Sequence, residues 1–106
     1  MYQIAEKEGL TIIQAHPFRS VCFPADPECL HGIEIFNGNP RHDSHNDLAR
    51  ALGEQAGLPG TAGSDFHQVQ DLASCCVGFE KLPEDGQELA EAIRQGRFTR
   101  EIFRGI

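Results

Sequence analysis

The sequence predicts an α/β fold with mostly parallel strands, because short apolar runs typical of strands alternate with helix-like segments. Polar side chains come shortly after three of the apolar runs: His16 after the first, Asn37 after the second, and Asp65 and His67 after the third. Parallel strands end at a common edge of their sheet, where functional loops gather. We therefore expect these four side chains to converge.

Length and charge limit the class of protein. A chain of 106 residues fits one small domain. The formal net charge of −7 disfavours general nucleic-acid binding, because an acidic surface repels phosphate backbones. We also expect a soluble, cytoplasmic protein without membrane contact, since no apolar run approaches a membrane span and no signal peptide precedes the first helix.

The first third of the chain predicts one helix and one strand. Residues 1–8 have helix-forming composition, and residues 10–15 have that of a buried strand. Pro17 stops the strand and should bias His16 toward an extended conformation. We expect a loop with one short helical turn over residues 18–30.

The second strand, predicted at residues 31–36, has a clear alternation. It places Ile33 and Ile35 on one face and Glu34 and Phe36 on the other. A strong turn signal follows.

The clearest predicted helix covers residues 44–56, with Asp43 or Ser44 as its cap and Gly57 just past its end. An apolar stripe on this helix consists of Leu48, Ala49, Leu52 and Ala56. The remaining predicted elements are a strand at 58–62, a helical turn at 68–73, a strand at 74–80, a helix at 85–95 and a strand at 98–103. The helix at 85–95 has a capping box of Asp85 and Glu88, and its inward side chains are expected to be Leu89, Ala90 and Ile93.

The sequence around Asp65 and His67 is the strongest candidate for a functional site. In extended backbone, residues two apart point to the same side. A carboxylate oxygen beside an imidazole nitrogen suits a divalent transition metal. The alternative is that Asp65 caps the next turn and that His67 is an ordinary polar residue on the surface.

Four other polar residues near the strand ends have two interpretations each. His16 is a metal ligand or an ordinary hydrogen-bonded loop histidine, and Asn37 orients a ligand or makes an Asx turn. Glu34 is a ligand or a carboxylate that is paired or faces solvent. Arg19 holds a phosphate bidentately or is a solvated surface charge.

The remaining histidines and the cysteines have no pattern that assigns them a role. His42 and His45 could chelate a metal from a helix start, but a solvated first turn of the helix is the favoured interpretation. Because no C-x-x-C pair occurs, we expect free thiols rather than disulfides or a zinc site for Cys22, Cys29, Cys75 and Cys76.

Three segments together resemble the later motifs of the PHP (polymerase and histidinol phosphatase) family of metal-dependent phosphoesterases. They are LTIIQAHPFR at residues 10–19, HGIEIFNG at 31–38 and LPGTAGSDFH at 58–67. The resemblance extends over about residues 2–80. Its specificity lies in the order of the motifs, because each motif alone is weak.

The resemblance implies a partial (β/α) barrel, the C-terminal part of a distorted (β/α)7 barrel. It implies hydrolysis of a small phosphorylated substrate by metal-activated water, with two or three Zn, Mn or Fe ions in the complete site. By position, it implies that His16, Asp65 and His67 bind metal, that Glu34 and Asn37 lie beside the site, and that Arg19 contacts substrate phosphate.

The sequence departs from the family pattern in lacking the early His-x-His motif and the bridging glutamate. We therefore expect residues 1–106 to be a truncated PHP-like domain with weak or no activity, whose exposed half-barrel surface is covered by a second copy or a partner segment. Two alternatives are a non-catalytic binding or assembly module and a metal-dependent hydrolase of the amidohydrolase type.

Overall fold

A computed structural model describes residues 1–103 and shows an α/β arrangement with two separate sheets. Short 3₁₀ turns occupy Pro27–Cys29 and Val69–Asp71. The longer elements, in chain order, are helix α1 (Tyr2–Glu8), strand β1 (Ile13–Gln14), strand β2 (Gly32–Asn37), helix α2 (Asn46–Ala56), strand β3 (Gly60–Gly63), strand β4 (Cys75–Gly78), helix α3 (Gly86–Arg94) and strand β5 (Thr99–Ile102).

Strand β2 is the centre of a parallel sheet, with β1 on one side and β3 on the other. Gln14 lies opposite Ile33, and Asn37 lies opposite Gly63. All three strands therefore end at one edge, as their order in the sequence predicts. Strands β4 and β5 form a separate antiparallel ribbon, and residues 1–103 contain no closed sheet, so the partial barrel stays a prediction.

The core lies on one face of β2. Leu30, Ile33 and Ile35 are buried together, and the alternation predicted for this strand is confirmed. Partly buried side chains complete the cluster: Ile12, Leu52 and Leu58. Helix α2 approaches this face closely because it carries a glycine, Gly53, where a Cβ would lie 3.1 Å from Ile35.

Strand β1 is shorter than the six residues that its apolar composition predicts. Ile12 donates its backbone N–H to Nδ1 of His31 at 2.9 Å, rather than to a neighbouring strand. Thr11 donates its hydroxyl to the carbonyl of Ala90 in α3 at 3.0 Å. The carbonyl of Ile12 still accepts from the backbone N–H groups of His31 and Gly32, so the His31 ring removes only the N–H of residue 12 from the strand ladder.

The predicted cap of α2 is wrong. The residue that precedes the helix is His45, which has a left-handed φ of 49° and makes no side-chain cap bond. Asp43 instead accepts from the backbone N–H of His45 at 3.0 Å, and Ser44 hydrogen-bonds to Arg19. A tertiary partner has therefore taken the hydroxyl that the sequence assigned to the cap.

The apolar stripe predicted for α2 is confirmed except at Leu48. Ala49 and Gly53 are the buried residues, whereas Leu48 is 47 % exposed. In α3, Asp85 caps the helix by accepting from the N–H of Glu88 at 2.8 Å, as predicted. Leu89, expected to point inward, is 41 % exposed. Small residues are thus the fully buried residues of both helices, and Leu52 of α2 packs against the core cluster from a partly buried position.

All four cysteines are free thiols, as expected. Within residues 1–103, none of the helices has the length and apolar character needed to cross a membrane.

Gly60 should be intolerant of alanine, because a Cβ there would lie 2.6 Å from Cδ1 of Ile35. We expect Gly60→Ala to reduce the free energy of unfolding by about 1–3 kcal/mol, measured by urea denaturation. Gly86→Ala is the matched control, since a Cβ at Gly86 meets no atom within 4 Å. Equal stability of the two variants would contradict this account of the packing between β2 and β3.

Candidate functional site

Polar side chains form a connected cluster at the carboxyl edge of the parallel sheet. Arg19 comes from the loop after β1, Glu34 and Asn37 from β2, and Asp65 from the loop after β3. Ser44, just before α2, joins them. We call this set the edge cluster: Arg19, Glu34, Asn37, Ser44 and Asp65.

The guanidinium of Arg19 is the centre of the edge cluster. Its Nη2 lies 2.8 Å from Oδ2 of Asp65, 3.0 Å from Oδ1 of Asn37 and 3.0 Å from Oγ of Ser44. The Arg19 side chain is only 13 % exposed. The interpretation of Arg19 as a solvated surface charge is therefore wrong, and its proposed contact with phosphate would have to form beside these existing bonds.

Asn37 relays hydrogen bonds through the cluster. Its Oδ1 accepts from the backbone N–H of Asn39 at 3.0 Å, which fixes the orientation of the amide because that N–H can only donate. The Nδ2 group then donates to Oε1 of Glu34 at 3.0 Å and to Oδ2 of Asp65 at 3.3 Å. Asn37 therefore connects the two carboxylates through its Nδ2. Its Oδ1 makes the Asx-turn contact that was the alternative interpretation of this residue.

Asp65 is held ionised in spite of its partial burial. Burial raises the pKa of its carboxyl, but the hydrogen bonds from Arg19 and Asn37 outweigh that effect and keep the pKa below its ordinary value. The residue also has a left-handed φ of 50°, which is uncommon for a side chain with a Cβ. Asp65 and His67 are therefore not related by the extended geometry that their spacing was taken to indicate.

His67 lies beside Asp65 all the same. Its Nδ1 is 2.9 Å from the backbone carbonyl of Asp65 and 3.6 Å from Oδ1 of the same residue. Because a carbonyl can only accept, Nδ1 carries the proton and Nε2 is left with the lone pair in the neutral ring. The ring is 66 % exposed. Nε2 is thus the nitrogen of His67 that is chemically able to bind a ligand.

His16 enters the site through its backbone. Its N–H donates to Oε1 of Glu34 at 3.0 Å, whereas its ring nitrogen Nδ1 lies 3.7 Å from Sγ of Cys22. The φ of His16 is 27°, so the expected extended conformation is wrong. The reason is a tight turn in which the carbonyl of His16 accepts from the N–H of Arg19 at 3.2 Å.

The loop after β3 is anchored by Asp71, which is 0 % exposed. Its carboxylate forms a two-point ion pair with Arg41 and accepts the backbone N–H groups of His67 at 3.1 Å and Gln68 at 3.0 Å. The hydrogen bond and charge of Arg41 hold the pKa of Asp71 far below its usual value, against the opposing effect of burial. Asp71 therefore fixes the backbone position of His67.

The described residues do not by themselves fit a metal centre. Oδ2 of Asp65 already accepts hydrogen bonds from Arg19 and Asn37, and Nδ1 of the His16 ring faces Sγ of Cys22. Across residues 1–103, no group of three or more His, Cys, Asp and Glu side chains is placed to hold a metal ion. That finding covers His42 and His45 as well. No reaction step through a metal is therefore assigned to these residues.

A cavity of about 770 Å³ lies elsewhere, between α3 and the ends of the β4–β5 ribbon. Apolar and charged side chains line it, among them Leu82, Glu88 and Phe98. None of its lining residues belongs to the edge cluster, whose chemistry is the better indicator of a functional site.

Several residues of the site were not identified from the sequence. Asn46 accepts the N–H of Asn37 at 2.9 Å and donates to its carbonyl at 3.2 Å, which holds α2 against the end of β2. Asn39 donates to the carbonyl of Asp65 at 3.1 Å. The only signal for them was the high density of Asn and Asp after β2, which equally predicts a turn. Arg41 and Asp71, 30 residues apart, gave no local signal at all.

More than half of the chain matches the model of a known protein family. A family model described as PHP-associated matches residues 43–98. The matched region contains Asp65 and His67 but neither Arg19 nor the strand β2. No curated protein and no solved structure matches the chain.

Removal of the buried carboxylate at Asp71 should disorder the loop that carries His67. We expect Asp71→Ala to lower the thermal midpoint clearly, because Arg41 and two backbone N–H groups lose their acceptor. Asp26→Ala is the matched control, since Asp26 also accepts a backbone N–H, that of Glu28, but is exposed. A midpoint for Asp71→Ala as high as that of the control would contradict the anchoring role.

The same carboxylate should make stability depend on pH. Because the pKa of Asp71 is lower in the folded chain than in the unfolded chain, its stabilisation is present above the unfolded pKa of about 3.9 and is lost as pH falls through the folded value. Urea denaturation from pH 6 downward should show falling stability below about pH 4. Asp71→Asn should flatten that part of the profile, and an unchanged profile would contradict the assignment.

Proposed function

Because the chain belongs to the PHP-associated family, we propose that it supplies the carboxyl-terminal part of a PHP-type phosphoesterase centre. The observation that carries this proposal is the edge cluster, where the ends of three parallel strands bring Arg19, Asn37 and Asp65 into hydrogen-bond contact. This is the edge at which α/β folds place their ligands. The half-barrel architecture is part of the same proposal.

Each residue of the site has a role in the proposal. Asp65 offers Oδ1, since Oδ2 already accepts two hydrogen bonds, and His67 offers Nε2, since its Nδ1 is held by the carbonyl of Asp65. Arg19 would contact the phosphate of the substrate beside its existing bonds to Asp65, Asn37 and Ser44. Divalent ions such as Zn, Mn or Fe would need ligands beyond those in residues 1–103. We therefore expect weak or no activity from the chain by itself.

We expect the purified chain with Mn²⁺ or Zn²⁺ to hydrolyse p-nitrophenyl phosphate no faster than metal alone, because it does not place enough ligands around one point. Phosphate release is measured for the wild type, for Asp65→Ala and for Asp47→Ala, which alters an exposed carboxylate of α2. Turnover that disappears in Asp65→Ala but persists in Asp47→Ala would show a complete centre and contradict the proposed inactivity.

A second candidate, a binding or assembly module, is favoured by the exposed apolar surface. Phe23, Val69 and Leu82 are each at least 80 % exposed, at 83 %, 82 % and 80 %. All four residues of β5 are exposed, and among the described strands β5 pairs only with β4. An open strand edge of this kind favours pairing with a second copy or another chain.

The assembly proposal predicts a mass above that of an 11.7 kDa monomer in light scattering at micromolar concentrations. Because the open edge belongs to β5, Ile102→Thr should shift the protein toward monomer more than Val21→Thr, which changes an exposed apolar side chain in the loop after β1. A monomer at every concentration would contradict this second function.

A further inference from the structure

The edge cluster holds two carboxylates, and both are linked to the same amide. Nδ2 of Asn37 donates to Oε1 of Glu34 and to Oδ2 of Asp65, so the two acidic groups lie on either side of one nitrogen. Two such carboxylates with no cation between them would attract a positive ion strongly in a site shielded from water. Here that cation is part of the chain.

Arg19 is positioned for this role by the turn that follows β1. Its N–H donates to the carbonyl of His16 at 3.2 Å, and its carbonyl accepts from the N–H of Cys22 at 2.9 Å. Pro17, between them, is fully buried. These bonds hold the backbone of Arg19 in place independently of the contact between its side chain and Asp65, which lies 46 residues further along the chain.

Displacement of Arg19 from the cluster would leave several groups unsatisfied. Ser44 is 4 % exposed and receives both Nη2 at 3.0 Å and Nε at 3.3 Å. A guanidinium stays charged at every accessible pH, so it cannot leave by losing a proton. A metal ion approaching Asp65 would have to break these contacts or accept a positive charge next to it.

We infer that Arg19 is the resident cation of the edge cluster and keeps divalent metal ions off Asp65 in this chain. The positive charge of Arg19 neutralises Asp65 and orients its carboxylate toward Asn37. A bound metal ion would otherwise have that role. The inference concerns this chain without the further ligands that the phosphoesterase proposal requires, so either can hold without the other.

The test is a titration with Mn²⁺ alone, followed by electron paramagnetic resonance of the free ion. We expect the wild type and Arg50→Met to bind equally weakly, since Arg50 is a 66 % exposed residue of α2 that forms an ion pair with Glu54 on the same helix. Arg19→Met should bind Mn²⁺ at least about tenfold more tightly, because it leaves Glu34 and Asp65 without a cation.

The double variant Arg19→Met with Asp65→Asn locates the site. We expect it to lose the gain in affinity, which would show that the new site uses the Asp65 carboxylate. Equal Mn²⁺ affinity of wild type and a folded Arg19→Met would overturn the inference. So would tight binding by the wild type that Asp65→Asn removes.

The wild type provides a second measurement that needs no variant. In a ¹⁵N–¹H spectrum with one equivalent of Mn²⁺, paramagnetic broadening should not concentrate on the amides of Asp65, Phe66 and His67. Selective loss of those signals would overturn the inference even if Arg19→Met failed to fold. Because these readouts contain no substrate, they are independent of whether the phosphoesterase proposal holds.

Discussion

The ion pair between Arg19 and Asp65 joins the ends of β1 and β3 across the central strand. Its 2.8 Å contact links residues that are 46 positions apart, and the same guanidinium reaches Asn37 at the end of β2. Backbone pairing brings the strand ends to one edge, but it leaves their side chains free to point into solvent. The charged hydrogen bonds of Arg19 convert that shared edge into one ordered cluster.

A second ion pair holds the backbone of the loop after β3. Asp71 accepts from the main chain of His67 and Gln68 while Arg41 neutralises it, so the turn is held although its own helical segment has three residues. Because one pair acts on the side chain of Asp65 and the other on the backbone of His67, the two residues are oriented by different parts of the chain. The positions of Asp65 and His67, two residues apart in the chain, therefore depend on distant arginines.

Backbone strain coincides with this arrangement. His16 and Asp65 both have positive φ, at 27° and 50°, and both lie just beyond the ends of β1 and β3. Conformations of this kind persist only where surrounding contacts hold them. For His16 the contacts are the bonds of its backbone to Glu34 and Arg19, and for Asp65 they are the bonds from Arg19, Asn37 and Asn39. The positive φ at these two positions is thus held by contacts of the edge cluster, whereas Val21, His45 and Ala73 have positive φ outside that set.

The sequence by itself determined the order of helices and strands, the buried face of β2, the parallel sheet and the polar strand ends, because these follow from local periodicity and from glycine and proline positions. It also indicated the PHP resemblance, and the matched family model agrees. Only the tertiary structure decided that Ser44 bonds Arg19 instead of capping α2, that Arg41 pairs with Asp71, and that Arg19 neutralises Asp65. Those partners are 25, 30 and 46 residues apart, and hydrogen bonds between distant groups leave no periodic trace in a sequence.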